Sequence, residues 1–192
     1  MIDLSFSSSK VPAKGFLLLS DPFMDEDYFR RSIVYLCEHN DDGSYGFVLN
    51  NFLPINLKDL GDNFPDIETQ ITLGGPLDKE NLYFLHTLGD KIDNAILIKN
   101  NIYIGGDFQK LSELLSSDKK LVNKVRFFVG YSSWSVGQLE NEMQENSWVS
   151  VKLQSKKDLF ENKLKVTWNK YMKAQGGKFK IISDFTINPT HN

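Results

Sequence analysis

Short apolar runs closed by turn-forming residues recur along the chain and predict strands. Residues 16–19 are apolar at every position, the pattern of a strand buried on both faces. Residues 32–38 and 46–49 flank the turn formers of residues 39–43, and predict a β-hairpin whose loop is slightly longer than two residues. Residues 95–98 and 102–104 predict a second hairpin around Lys99-Asn100-Asn101.

Helices are predicted where a capping residue precedes apolar residues at helical spacing. Asp107 is placed to cap a helix that runs through Leu115, and Asn56 to cap a short helix that Gly61 ends. Further helices are predicted at residues 138–145 and 157–175, and one or two helical turns at residues 25–31. Further strands are predicted at residues 71–73, 82–86, 125–131, 148–153 and 179–185.

Strands joined mostly by short turns, with helices between them, favour an α+β fold with a mostly antiparallel or mixed sheet. A chain of 192 residues and 22.0 kDa is long enough for one well-cored domain. We therefore expect a single compact domain over residues 15–185, a flexible serine-rich leader over residues 1–14 and a tail over residues 186–192.

Charge and cysteine content narrow the function classes. The formal net charge of −3 argues against DNA binding, because a DNA-binding protein usually carries a basic surface. The lysines of residues 152–180 are interpreted as a solvated helix face. Cys37 is the only cysteine, no apolar run is long enough to span a bilayer and no secretory signal is apparent, so we expect a cytoplasmic protein without membrane attachment.

Common catalytic and nucleotide-binding motifs are absent from the sequence. It contains no Walker A run, no G-x-G-x-x-G after a strand and no G-x-S-x-G. Ser135 and Gln138 have the spacing of a capping box. Trp134 and Gly137 lie close to Ser135. They make this helix start a better candidate for a helix end that faces a ligand than the helix start at Asp107.

Cysteine and histidine give only weak chemical candidates. Cys37 and His39 lie about 7 Å apart along one strand, which is too far for a thiolate–imidazole pair, so Cys37 is predicted to be buried and inert. His39 and His86, each taken alone, are predicted to be hydrogen-bonded structural residues. Apart from His191 in the tail, these three side chains are the only soft metal ligands, so neither a metal nor a cofactor is predicted.

A set of ordered blocks resembles the AlgH/YqgE family of small bacterial proteins. The blocks are residues 15–22 (GFLLLSDP), 29–40 (FRRSIVYLCEHN), 46–50 (GFVLN), 73–76 (LGGP), 104–107 (IGGD) and 130–140 (GYSSWSVGQLE), together with His86 and Ser147-Trp148. The resemblance implies strands that close into a partial barrel flanked by helices. It implies neither catalytic residues nor a cofactor, and some family members carry the label of transcriptional regulator.

Seven residues are candidates for ligand contact because they fall at predicted strand ends or loops: His39, Asn50, Gly75, His86, Tyr131, Trp134 and Gln138. The leading hypothesis is a non-enzymatic regulatory or binding protein in which these residues line a pocket for an unidentified small ligand or a protein partner. The alternative is a hydrolase or transferase that uses His39 or His86 as general base. A DNA-binding transcription factor is a third hypothesis, and the acidic composition argues against it.

Overall fold

A computed structural model describes residues 11–24, 26–61, 64–160 and 167–184. These residues contain ten strands and five helices. The strands are β1 (Phe16–Ser20), β2 (Ile33–Asn40), β3 (Gly43–Val48), β4 (Phe52–Asn56), β5 (Gln70–Leu73), β6 (Leu77–His86), β7 (Ile96–Lys99), β8 (Ile102–Ile104), β9 (Val125–Trp134) and β10 (Trp148–Lys152). The helices are α1 (Phe108–Ser117), α2 (Gln138–Gln144), α3 (Lys156–Phe160), α4 (Trp168–Gln175) and α5 (Gly177–Asp184), with 3-10 turns at Leu57–Leu60, Gly89–Lys91 and Lys119–Lys124.

All ten strands belong to one mixed sheet that curls into a half-barrel. The strand order is β10-β1-β2-β3-β9-β6-β8-β7, and β4 and β5 attach beside β9. The β5–β9 pairing is parallel, whereas the other pairings are antiparallel. The prediction of an α+β fold with a mostly antiparallel or mixed sheet is therefore confirmed.

Strand β9 organises the sheet because it pairs with different neighbours along its length. Its first half pairs with β6, with Phe127 opposite Phe84. Its last residues pair with β3, with Trp134 opposite Ser44. The end of β9 is thereby placed beside the β2–β3 hairpin, where both candidate grooves described below are found.

Helices cover the sheet on both faces. Leu17 and Leu19 pack in the cluster that α3, α4 and α5 complete, whereas Leu18 packs in the cluster that includes Leu139 of α2. The prediction that this strand is buried on both faces is confirmed. A third cluster joins α1, through Leu111 and Leu115, to β6 and β9.

A buried guanidinium ties α3 to the sheet. Arg126 of β9 is fully buried and donates to the carbonyl oxygens of Leu159 in α3, at 3.2 Å, and of Leu49 after β3. It also lies over the ring of Phe128, 5.4 Å from the ring centroid. Burial lowers the pKa of Arg126 to about 9, so the side chain stays charged at neutral pH.

The predicted helix over residues 157–175 is wrong as one continuous element. The described part of α3 is Lys156–Phe160, α4 begins at Trp168, and Thr167 has extended backbone angles of φ −116° and ψ 143°. The Thr167 side chain accepts a hydrogen bond from the Lys170 N–H, so it caps a new helix. A β-branched capping residue thus starts a second helix in place of continuing the first.

The strand predicted at residues 179–185 is also wrong, because residues 177–184 form α5. Phe179 packs against the main core cluster and Ile182 is buried in it, a three-residue spacing that suits a helix. A short apolar run is compatible with either element, and tertiary packing selects the helix here. Phe185 and the predicted tail, residues 186–192, lie outside the described residues.

Other local predictions have simple outcomes. Residues 26–31 form hydrogen-bonded turns, in which the Arg30 N–H donates to the Glu26 carbonyl, in agreement with the predicted one or two helical turns; Arg31, at φ 56°, ends them in a left-handed conformation. The first hairpin loop is shorter than predicted, because β2 extends to Asn40 and β3 begins at Gly43. The second hairpin and the helix capped by Asp107 are confirmed.

Residues 1–10 of the predicted leader lie outside the described residues, whereas residues 11–14 contact the sheet. The Val11 carbonyl accepts from the Ser150 hydroxyl at 3.3 Å, and Lys14 forms an ion pair with Glu38 at 2.8 Å.

Candidate functional site

Two open grooves meet at Trp134, the last residue of β9. The aromatic groove, of about 520 Å³, is lined by Glu38, Asn40, Asp42, Gly43, Ser44, Tyr45, Phe47, Tyr83, Ile104, Tyr131, Ser133 and Trp134. The acidic groove, of about 530 Å³, is lined by Asp21, Phe23, Met24, Glu26, Phe29, Pro76, Leu77, Ser133, Trp134, Gln138, Glu142, Glu145, Ser147 and Trp148. Both volumes fall in the range of natural ligand sites.

Aromatic rings form the floor of the aromatic groove. Phe47 stacks on Phe128 with ring centroids 4.5 Å apart, and Tyr131 meets Tyr83 edge-to-face at 5.7 Å. Tyr45 lies on the other side of Tyr131 at 6.4 Å. These tyrosines come from three strands, so the β3–β9 and β6–β9 pairings create the cluster. Partly exposed rings of this kind can bind apolar or cationic groups.

The tyrosine hydroxyls of the groove differ in their bonding. Tyr83 donates to the Asp78 carboxylate. The hydroxyls of Tyr45 and Tyr131 make no hydrogen bond within the described residues. Burial raises the pKa of Tyr45 to about 12, so this hydroxyl keeps its proton at neutral pH and can donate to a bound group.

Glu142 of α2 holds the acidic groove together. Its Oε2 accepts hydrogen bonds from the indole N–H groups of Trp134 and Trp148, each at 2.8 Å, and its Oε1 accepts from Gln138 Nε2 at 2.8 Å. The two indole rings meet edge-to-face with centroids 5.6 Å apart. One carboxylate therefore fixes two tryptophans and the first turn of α2.

The start of α2 differs from the predicted capping box. The N-cap residue is Gly137, at φ 73°, and its position lies two residues after Ser135. Gln138 Oε1 does accept from the Ser135 N–H at 2.9 Å, which is one half of the predicted arrangement. The glycine takes the cap because this position requires a left-handed backbone.

His39 borders the aromatic groove. Its Nδ1 lies 2.7 Å from the hydroxyl oxygen of Ser44, its partner across the β2–β3 hairpin, and its Nε2 lies 3.6 Å from Glu140 Oε1. Cys37, on the preceding part of β2, is 1% exposed, and burial raises the pKa of its thiol. The prediction of a buried cysteine is confirmed, and a protonated thiol here is a poor nucleophile.

Family comparisons place this geometry in a wider group. The AlgH-like family profile matches residues 17–180. The chain belongs to the AlgH-like family. A UPF0301 protein from Cytophaga hutchinsonii is 35% identical over 184 residues, covering 93% of this chain and 98% of that protein. A UPF0301 protein from Bacteroides thetaiotaomicron is 35% identical over 187 residues, covering 97% and 94%. The resemblance drawn from the ordered blocks is confirmed.

Two solved structures share the AlgH-like fold. A crystal structure of a Corynebacterium diphtheriae protein matches with a TM-score of 0.73 at 20% identity, covering 93% of this chain and 95% of that one. The solution structure of the AlgH protein from Pseudomonas aeruginosa matches with a TM-score of 0.63 at 24% identity, covering 88% and 98%. At these identities the likeness establishes the fold alone.

The AlgH-like fold brings four of the seven candidate residues to this region. Tyr131 and Trp134 line the aromatic groove, Trp134 and Gln138 line the acidic groove, and His39 lies against the lining residue Ser44. Their contact with a ligand stays a prediction.

The other three candidates are engaged with backbone elsewhere. His86 is fully buried: its Nε2 lies 3.0 Å from the Gly105 carbonyl and its Nδ1 accepts from the Leu88 N–H at 3.2 Å. This pattern requires the neutral imidazole, and burial lowers the pKa of His86 accordingly. Asn50 accepts from the Ile33 N–H and donates to the Arg31 carbonyl.

Gly75 has a steric role. A Cβ atom at Gly75 would lie 1.8 Å from the carbonyl carbon of Tyr131. The turn between β5 and β6 can therefore pack against β9 only because this residue has no side chain. Its neighbour Pro76 lines the acidic groove.

Three residues of the grooves are not among those predicted from the sequence: Tyr45, Tyr83 and Glu142. Tyr45 and Tyr83 depend on strand pairings between distant segments, which local patterns do not specify. Glu142 had a local signal, because residues four apart on a helix share a face and Glu142 follows Gln138 by four.

Within the described ranges, no group of three or more His, Cys, Asp and Glu side chains is arranged to hold a metal ion. No helix in the described part of the chain is long and apolar enough to cross a bilayer.

Proposed function

We propose that this AlgH-like chain is a binding protein that docks a basic, apolar-containing peptide segment of a protein partner across Trp134. Charge is the observation that carries the proposal. The described walls hold two acidic residues in the aromatic groove (Glu38, which is paired with Lys14, and Asp42), four in the acidic groove (Asp21, Glu26, Glu142 and Glu145), and no Lys or Arg in either. A segment with lysine or arginine complements such walls.

Exposed apolar side chains support a peptide partner. Phe23 and Leu77, which are 67% and 45% exposed, line the acidic groove, and Val136, which is 69% exposed, follows Trp134 by two residues. Apolar and aromatic groups beside polar rims are typical of protein interaction surfaces. The carboxylates also repel phosphate, which favours a protein partner over DNA at these grooves. A regulatory role would then be exerted through the bound partner.

A defined peptide pair tests the proposal. The first peptide is capped and alternates lysine with leucine and phenylalanine; in the second, glutamate replaces each lysine. Titration calorimetry at low salt should show the lysine peptide binding at least about tenfold more tightly than the glutamate peptide. Added salt should weaken the lysine complex, because exposed charges are screened. Equal binding of the two peptides would overturn the proposal.

Charge reversal provides the matched control. The double variant Glu26→Lys/Glu145→Lys changes two exposed carboxylates of the acidic groove and should weaken lysine-peptide binding about tenfold. Asp90→Lys/Glu113→Lys makes the same change in net charge at exposed positions that line neither groove, and should leave affinity near the wild-type value. Equal losses in both variants would assign binding to net charge alone.

One observation favours a second candidate function. His39 lies within hydrogen-bond distance of Ser44, which lines the aromatic groove, and its other ring nitrogen lies 3.6 Å from a carboxylate oxygen of Glu140. A histidine that contacts both a hydroxyl and a carboxylate is the arrangement of a serine nucleophile with its general base. Ser44 is 7% exposed, so a substrate would have to reach it from the groove.

A fluorophosphonate probe separates this candidate from simple cross-strand bonding. An activated serine forms a covalent adduct that mass spectrometry locates at Ser44. His39→Gln and Ser44→Ala should both abolish the adduct if His39 is the base. A wild-type chain that stays unlabelled would leave the Ser44–His39 contact as a structural pair of the hairpin.

A further inference from the structure

The half-barrel stays open along a seam between its two edge strands, β7 and β10. The strands approach each other at the start of β1, where Phe16 pairs with Lys152 of β10. Lys99 of β7 lies over the same residue, with its ammonium nitrogen 4.8 Å from the Phe16 ring centroid. A cavity of about 690 Å³, here called the seam groove, occupies this space.

Gly15 allows the close approach at the seam. Its φ is +81°, and a Cβ atom there would lie 2.7 Å from Lys99 Cδ. A side chain at this position would push Lys99 away from β1. The lysine is thus held over the groove by packing of its stem as well as by its contact with the Phe16 ring.

The walls of the seam groove are basic. Lys99, Lys152 and Lys156 line it, and its described lining contains no Asp or Glu. None of these lysines forms an ion pair within the described residues, whereas Lys14, Lys58, Lys110, Lys170 and Lys173 each have a carboxylate partner. Three lysines without a counter-ion on the walls of one groove favour an anion.

A buried hydroxyl provides the independent second observation. Tyr35 of β2 is 0% exposed and lines the seam groove, and its hydroxyl oxygen has no hydrogen-bond partner in the described part of the chain. Buried hydroxyls are normally hydrogen-bonded, because an unpaired one loses its water without compensation. Burial raises the pKa of Tyr35, so the hydroxyl is a donor at neutral pH.

Apolar side chains complete the lining. Phe16, Ile102 and Leu153 face the seam groove beside the lysines, so an apolar body can pack next to an anionic group. The overall charge of −3 repels anions in general, and attraction at this place must come from the local arrangement.

We propose that the seam groove binds a small phosphate monoester, whose phosphate is held by Lys99, Lys152 and Lys156 and accepts a hydrogen bond from the Tyr35 hydroxyl. The apolar body of the ester packs against Phe16, Ile102 and Leu153. The site is separate from the grooves at Trp134 and does not depend on the peptide-binding proposal, since Tyr35 and the three lysines line neither of those grooves.

Phenyl phosphate is the probe for this site. Titration calorimetry should show it binding at least about tenfold more tightly than inorganic phosphate or phenol, because only the ester carries both groups. The triple variant Lys99→Gln/Lys152→Gln/Lys156→Gln should weaken binding at least about tenfold. The control Lys119→Gln/Lys120→Gln/Lys124→Gln removes the same charge from exposed residues of the 3-10 turn Lys119–Lys124 and should bind like wild type.

Tyr35→Phe distinguishes a ligand-binding hydroxyl from a structural one. Removing an unpaired buried hydroxyl should leave the melting temperature unchanged or raise it, while phenyl phosphate affinity falls several-fold. A stable variant with wild-type affinity overturns the role of Tyr35. Equal affinities of the two lysine triple variants, or of phenyl phosphate and inorganic phosphate, overturn the proposed site.

Discussion

The surface around Trp134 and the seam groove carry opposite charge. They also differ in whether their polar groups have partners within the chain. At Trp134 the central carboxylate, Glu142, is saturated by two indoles and one amide of the chain itself. At the seam, the Tyr35 hydroxyl and three lysines have no such partners within the described residues. In the proposed roles, the region at Trp134 presents its rim to a peptide, whereas the seam groove is completed by a bound phosphate ester.

The contrast also shows that the net charge of the chain does not predict the charge of an individual groove. A value of −3 averages grooves with acidic walls and a groove with basic walls. The segregation follows from the fold, because the curled sheet places its closed middle, around β3 and β9, away from its two open edges. In the proposed roles, the basic peptide and the phosphate ester therefore do not compete for the same charges.

The largest expected effect comes from the glycine that lets the β5–β6 turn reach β9. Gly75→Ala should lower the free energy of unfolding by at least about 3 kcal/mol, because its Cβ would overlap backbone atoms of Tyr131 that cannot move aside cheaply. Urea unfolding followed by circular dichroism measures this loss. If the variant folds, its groove at Trp134 should lose peptide binding before the seam groove loses phenyl phosphate.

Gly137→Ala is the matched control for that substitution. Gly137, unlike Gly75, has a left-handed backbone, at φ 73°, and nothing lies within 4 Å of an added Cβ. Its cost should be that of backbone strain, about 1 kcal/mol. Equal costs for the two variants would show that steric contact at Gly75 is relieved elsewhere.

The next prediction tests whether Glu142 stabilises the fold by accepting hydrogen bonds from the two tryptophans. Glu142→Ala leaves two buried indole N–H groups without their acceptor and should cost about 2–3 kcal/mol in urea unfolding. Glu142→Gln keeps an acceptor oxygen and should recover part of that loss. Glu140→Ala, at an exposed position on the same helix, is the control and should stay within about 0.5 kcal/mol of wild type. A Glu142→Ala variant as stable as Glu140→Ala would contradict the anchoring role.

Elements that are bounded by turn-forming or capping residues could be predicted from the sequence. The hairpin at residues 95–104 has Asn100 and Asn101 at positive φ, which asparagine tolerates well, and Asp107 caps α1 as expected. Phe179 and Ile182 show the limit of this approach. Their short apolar segment fits a strand or a helix, and only packing on α4 and the sheet decides.

The candidate grooves were only partly accessible to the same reasoning. Tyr131 and Trp134 are three residues apart in one segment, so the sequence alone already placed them near each other. Tyr45 and Tyr83 join them through pairings across distant parts of the chain. His86 failed as a groove residue for another reason: its bonds to the Gly105 carbonyl and the Leu88 N–H are set by backbone geometry that no sequence pattern reveals.

His86 also gives the smallest predicted effect, one that should separate the two regions by pH. Burial lowers the pKa of His86 below its unfolded value near 6.5, so the unfolded chain binds this proton more readily. Stability from the neutral imidazole is therefore full above about pH 6.5 and decreases as the pH falls through the folded pKa, by at most about 1.4 kcal/mol per pH unit. Urea unfolding between about pH 7.5 and about pH 5.5 should show this decrease in wild type and a smaller one in His86→Gln.

A sharper test is to find which part of the structure loses stability on acidification. His86 ties β6 to the end of β8 through the Gly105 carbonyl, and the β7–β8 hairpin carries Lys99 to the seam. Amide exchange, corrected for its intrinsic pH dependence, should accelerate at Ile102–Ile104 on acidification more than in the β2–β3 hairpin beside the aromatic groove. Because the β7–β8 hairpin supplies Lys99 and Ile102 to the seam groove, phenyl phosphate binding should fall with pH while the β2–β3 side of the aromatic groove stays protected from exchange. Uniform acceleration across both hairpins would show that acidification acts on the whole fold and that His86 has no local effect on the seam.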